Sequence, residues 1–108
     1  MKRFNLKNGT LRLTEQPGLA YRVETGRVLV FLMPWREKKT GRRFLLAEVG
    51  PGALVPSLCW EDDVQGSWIF GLSALEEASL TCWAASEGER EEAQVSFARA
   101  AGVRLLDA

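Results

Sequence analysis

The sequence predicts a mainly β fold, an antiparallel jelly-roll β-barrel with a C-terminal α-helix. Three observations lead there. About seven or eight short apolar or alternating stretches are each bounded by glycine, proline or acidic turn signals. The hydrophobic period becomes helical only once, near the end of the chain. At 108 residues, 46% of them apolar, the chain suffices for one domain over residues 1–108 with a single core.

The elements follow in order, with the barrel expected over about residues 10–84. Residues 2–16 read as a strand lead-in; "TLRLTE" sets Leu11 and Leu13 on one face and Arg12 and Thr14 on the other. "QPG" at 16–18 is turn chemistry. In "LAYRVETGRVLVFLM", Tyr21 and Val23 alternate with Arg22 and Glu24, "TG" at 25–26 reads as a tight turn, and Val28–Met33 as a strand apolar on both faces. "PWREKKTGRR", 34–43, reads as a long polar hairpin loop, and "FLLAEV" as the return strand. "GPG" at 50–52 turns the chain, and residues 53–66 read as irregular. "SWIFGLSAL" is a strand, "EE" at 76–77 a hairpin turn, and "ASLTCWA" its partner. The helix is expected over about 87–101. Ser86 and Glu89 have capping-box spacing, acids crowd the first turn, and Gly102 stands at the expected stop. Ala93, Phe97 and Ala100 form its apolar face, and Val103, Leu105 and Leu106 suggest that the chain docks again.

Composition excludes several functions. The chain has no histidine, which removes Ser-His and Cys-His catalysis and histidine-based metal sites. Glu61, Asp62 and Asp63 read as solvated loop acids and Glu76 and Glu77 as turn acids, so neither a metal centre nor a catalytic carboxylate pair is expected. Cys59 and Cys82 lack CxxC spacing and are expected as free thiols in a reducing, cytoplasmic setting. No apolar run approaches the ~18–20 residues of a membrane span, and "MKRFNLKNG" lacks a signal-peptide core. Net charge is zero but divided. Residues 1–43 hold eleven Lys/Arg against three acids, and residues 44–89 hold eight acids and no Lys or Arg. The acidic middle argues against nucleic acid as a partner.

The stretch Tyr21–Phe31, "Y-x-V-x-x-G-x-V-x-V-F", then "RRFLLAEVGPGALVPSL", then "IFGLSALEEASLTCW" and a helix, resembles the cyclic-nucleotide-binding-like domain, a jelly-roll barrel related to cupins. The basic segment after "VFL" and the "GRRFLL" re-entry are further similar to the N-terminal domain of nitrile-hydratase-leader-microcin type bacteriocin export ABC transporters. That resemblance implies an excised or truncated cytosolic domain, tied to a membrane only through its parent transporter. Its partners would be a precursor or leader peptide, the neighbouring transporter domains, or a second copy in a homodimer. No cofactor is implied.

Binding members of the family carry a "G-E" pair for the ribose and an arginine for the phosphate. By spacing these fall on Pro56–Ser57 and near Trp68, and neither type is present. The loop marked by Gly50, Gly52, Pro56, Ser57 and Trp68 is therefore expected to keep its outline and to have lost cyclic nucleotide. A candidate partner surface comprises Trp35, Arg36, Lys38, Lys39, Arg42, Arg43 and Trp60, since loop tryptophans beside basic residues suit a peptide partner. The expected function is a non-catalytic regulatory or interaction domain. The alternative is a sensor that holds a non-nucleotide ligand inside the barrel, near Leu58, Trp68 and Phe70.

Overall fold

The computed structural model describes residues 1–14, 16–36, 39–57, 59–62 and 66–101, and among these all side chains except those of 36, 39, 40, 59–62 and 66. The strands are β1 (Lys2–Leu6), β2 (Leu11–Leu13), β3 (Leu19–Arg36), β4 (Lys39–Thr40), β5 (Phe44–Val49), β6 (Leu54–Pro56), β7 (Cys59–Asp62) and β8 (Gly66–Ala84), followed by the helix α1 (Glu87–Ala100). The fold is mainly antiparallel β with one C-terminal helix, as the sequence predicts.

Its backbone is one long ribbon. β3 and β8 pair antiparallel from Leu19↔Ala84 to Trp35↔Ser67. β1, β2 and β7 line the far edge of β8, and β4, β5 and β6 the far edge of β3. A straight strand of the length of β3 would run about 60 Å, yet the longest dimension of the molecule is 38 Å. The connection from β6 to β7 says the same. Pro56 lies beside Ala20 and Cys59 beside Ile69, the partner of Met33. Along a straight strand those positions would lie about 43 Å apart, whereas the three peptide units joining Pro56 to Cys59 reach at most about 11 Å. The ribbon must fold back on itself, and this gives the sheet its barrel form.

The bend is where the register shifts. Bulges fall between Val23 and Thr25, Thr25 and Arg27, and Arg27 and Val28. Gly26 sits there at φ 84°. A Cβ on it would lie 2.4 Å from the carbonyl oxygen of Glu77 and 2.7 Å from Cα of Ala78. Both obstacles are backbone, so neither can swing aside. Across the bulges β8 carries one net extra residue, and β3 changes phase: Tyr21 and Val23 point into the core before the bend, Val28 and Val30 after it. β8 keeps its phase through Phe70, Leu72, Ala74, Ala78, Leu80 and Cys82.

Four sequence expectations are corrected. "TG" at 25–26 and "EE" at 76–77 are not hairpin turns; they are opposed bulges inside two long strands. Their turn-like composition reflects a bend that needs glycine on one strand and solvent-facing acids on the other. The segment 34–43 is not a long loop, because β3 runs to Arg36 and β4 pairs back through Trp35↔Thr40 and Arg36↔Lys39. Residues 53–66 contain β6 and β7, short edge strands whose pairing partners are too distant in sequence for local pattern to reveal.

α1 begins as expected. The Ser86 hydroxyl accepts from the Glu89 amide (3.2 Å), and the Glu89 carboxylate accepts from the Ser86 amide (2.9 Å) and from Trp83 Nε1 (3.1 Å). The helix buries Ala93 and Phe97 against β6 and the start of β3, with Phe97 centred 5.4 Å from the Phe70 ring. Ala100 is exposed, and Ala101 takes its place against the core. Gly102, Val103, Leu105 and Leu106 lie outside the described residues. Cys82 is a free, buried thiol.

The bend and the cap can each be tested by substitution. Gly26→Ala combines a positive φ with backbone collision and should cost roughly 3 kcal/mol or more. Gly52→Ala, with φ 88° and open space around its Cβ, should cost only ~1 kcal/mol; comparable losses in chemical denaturation would refute the close approach at Gly26. Glu24 and Glu89 are both held below the ordinary 4.5, Glu24 first by Arg22 and then by Thr81, Glu89 by the Ser86 amide and hydroxyl and by Trp83. A depressed carboxylate stabilises the folded state above its unfolded value. That contribution is lost as pH falls below about 4.5 through the folded pKa. Paired Glu24→Gln and Glu89→Gln substitutions should therefore flatten the acid limb of a melting-temperature profile.

Candidate functional site

Three regions carry the sequence-predicted and structural candidates. The first is the turn and strand from Gly50 to Ser57. Three of its backbone donors are already engaged within the chain. Gly52 N–H donates to Val23 C=O (2.8 Å), Ala53 N–H to Gly50 C=O (3.1 Å) and Ser57 N–H to Leu19 C=O (3.0 Å). The Ser57 hydroxyl accepts from Leu19 N–H (3.2 Å). Pro56 is buried and has no N–H. An anion cradle needs several N–H groups aimed outward together, and these are committed within the chain, two of them to β3.

A guanidinium does stand beside this turn, supplied by a strand distant in sequence. Arg27 reaches within 3.8 Å of where a Cβ on Gly50 would lie. Its Nε is 2.8 Å from Glu48 Oε1, so its charge is already matched. No motif marks Arg27; only the register Val28↔Val49 brings it to Glu48.

The second region is the far end of the ribbon. Trp68 does not join the Gly50 turn. It pairs with Pro34 on one side and Trp60 on the other, and its ring centre is 6.4 Å from that of Phe44. Arg42 lies over Phe44 (5.5 Å) and Arg43 over Phe31 (5.8 Å). Phe44 and Leu45 are 43% and 59% exposed, which makes this end both apolar and basic. Strand alternation puts Trp35 with Phe31 and Met33 on the face opposite Trp68, so the candidate partner residues divide over two faces. The side chains of Arg36, Lys39 and Trp60, and all of Lys38, lie outside the described residues, as do Leu58, Asp63 and the side chains of Glu61 and Asp62.

The third region carries no sequence motif. A cleft of about 580 Å³ opens between β1, β2 and the start of β3, lined by Phe4, Leu6, Arg12, Leu13, Leu19 and Tyr21 among others. The Arg12 guanidinium lies 4.1 Å above the Phe4 ring, and Phe4 meets Tyr21 edge-on with ring centres 6.2 Å apart. Burial pushes the Tyr21 phenol up and Cys82 adds to this, while the positive charge of Arg12 works the other way. Among the described residues, no three His, Cys, Asp or Glu side chains are grouped to hold a metal, and no helix is long and apolar enough to cross a membrane.

No protein-family description and no curated protein matches the chain. Solved structures similar to it include the catabolite activator protein of Thermus thermophilus, at 20% identity, 91% coverage of this chain, 42% of that one and TM-score 0.49. A CRP-family transcriptional regulator, also from Thermus thermophilus, shows 24% identity, 93% and 49% coverage and TM-score 0.47. A CooA variant from Carboxydothermus hydrogenoformans shows 16% identity, 94% and 59% coverage and TM-score 0.47. The chain thus spans less than two thirds of each.

The exposure of Leu45 yields a prediction. Leu45→Ser should change unfolding free energy by no more than about 0.5 kcal/mol, whereas Leu72→Ser, at a position with no exposure, should cost several kcal/mol. A large loss from Leu45→Ser would show that this side chain is packed, leaving no apolar surface there for a partner.

Proposed function

We propose that this chain is a non-catalytic interaction domain: a barrel of the cyclic-nucleotide-binding type whose ligand loop has become structural. In this reading it acts in the cytoplasm as part of a peptide or bacteriocin export ABC transporter and contacts a precursor leader peptide. The observation that carries it is the fate of the Gly50–Ser57 segment. Its Gly52, Ala53 and Ser57 amides are bonded within the chain, and the nearby Arg27 is matched by Glu48. A cyclic nucleotide would have to break several of these bonds and would meet no free cation there among the described residues.

The partner surface is the basic and aromatic end. Its two faces both offer such groups: Arg42 lies over exposed Phe44 on one, and Arg43 lies over Phe31, the strand partner of exposed Leu45, on the other. Such groups suit an extended peptide that offers carboxylates and apolar side chains alternately.

Two titrations test the reading. Millimolar cyclic AMP should leave the melting temperature unchanged, whereas a ligand at a hundred times its Kd would add about 2.7 kcal/mol. Fluorescence titration with a labelled leader peptide should show saturable binding, weakened about tenfold or more by Arg42→Glu with Arg43→Glu. Stabilisation by cyclic AMP, or equal peptide binding by the doubly substituted protein, would overturn it.

A further inference from the structure

The cleft at β1, β2 and the start of β3 contains an arginine on the core face of the sheet. Register fixes this placement. Arg12 stands opposite Leu72, Phe4 opposite Leu80, Leu6 opposite Ala78, and Tyr21 opposite Cys82. Leu72, Leu80 and Ala78 are core residues, so Arg12 projects toward the core at the rim of the barrel while remaining open to water. The sequence alternation that sets Arg12 apart from Leu11 and Leu13 is real, but its polar face turns toward the cleft.

The other arginines of the early chain are engaged differently. Arg22 holds Glu24 at 2.7 Å, Arg27 holds Glu48 at 2.8 Å, and Arg3 donates to Ser79 at 2.9 Å. Arg12 is instead held over an aromatic face, its guanidinium carbon 4.1 Å from the centre of the Phe4 ring. Among the described residues no carboxylate lines the cleft, and Asn5, Thr10 and Gln16 supply its remaining polar groups. A guanidinium held over a ring face by its charge keeps N–H donors for a planar oxyanion. Leu6 and Leu19, whose register sets them on the same face as Phe4 and Tyr21, give apolar walls. The volume lies within the range of small-molecule sites.

We infer that this cleft binds a small organic monocarboxylate, its carboxylate paired with Arg12 and its apolar body against Phe4 and the leucines. One guanidinium matches one negative charge, so a carboxylate suits the site better than a doubly charged phosphate ester. The ligand is either a free organic acid or the C-terminal carboxylate of a peptide. The inference is independent of the peptide-binding surface, which uses different residues.

The test is ligand-observed NMR and calorimetry on the full chain with octanoate, 3-phenylpropionate, the matching amides, octyl phosphate, and a short Leu-rich peptide with a free or amidated C-terminus. Carboxylates should bind with Kd in the millimolar range or below, and their amides at least about tenfold more weakly. Arg12→Gln should abolish the difference between acid and amide, and Arg42→Glu should leave it intact. If Arg12→Gln fails to fold, Arg12→Lys keeps the charge, removes the fork, and should still weaken carboxylate binding several-fold. Preference for the free-acid peptide over octanoate identifies a chain terminus as ligand, and the reverse identifies a free acid; either supports the site. No carboxylate binding at about 10 mM, equal binding of acids and amides, tighter binding of octyl phosphate, or an unchanged acid–amide difference in both Arg12 variants overturns it.

Discussion

The structure depends on one close contact, where β3 meets its neighbour β8 at Gly26. There the backbone of Glu77 and Ala78 occupies the space that any side chain on residue 26 would need. The contact holds together three register shifts, and the shifts bend a two-stranded ribbon that would otherwise be too long for the molecule. Because β8 carries one net extra residue through the bend, β3 switches its inward positions from odd to even. One continuous core can then be lined by Tyr21 and Val23 on one wall and by Val28 and Val30 on the other.

The bend also decides what the Gly50–Ser57 segment can do. Folding the ribbon leaves the outer edge of β3 at residues 19–23 open, and an open edge requires partners for its N–H and C=O groups. β6 and the turn before it satisfy that edge, with Gly52 and Ala53 bonded around Val23 and Ser57 bonded to Leu19. Amides spent on an edge are not available to a phosphate. The backbone of this segment is thus committed to holding the barrel, and α1 lies against the same β6.

Much of this was legible in the sequence where the signal is local. The Ser86–Glu89 cap, the turns at Gly18 and Gly52, and the buried Val28 and Val30 follow from spacing and residue type. The bend did not, because glycine after threonine looks alike in a turn and in a bulge; only the backbone of Glu77 on the other strand distinguishes them. β6 and β7 were missed because edge strands of three or four residues have no period of their own. Arg27 beside Glu48, and Arg12 in its cleft, were invisible as site residues because the pairing register brings their neighbours from other parts of the chain.

In this fold the Gly52, Ala53 and Ser57 amides are committed within the chain. Hydrogen exchange of the Gly52, Ala53 and Ser57 amides by NMR tests this directly. Exchange should be slow at all three, comparable with the paired amides of β6, and unchanged on adding millimolar cyclic AMP. Fast exchange at these positions, slowed when the nucleotide is added, would contradict it.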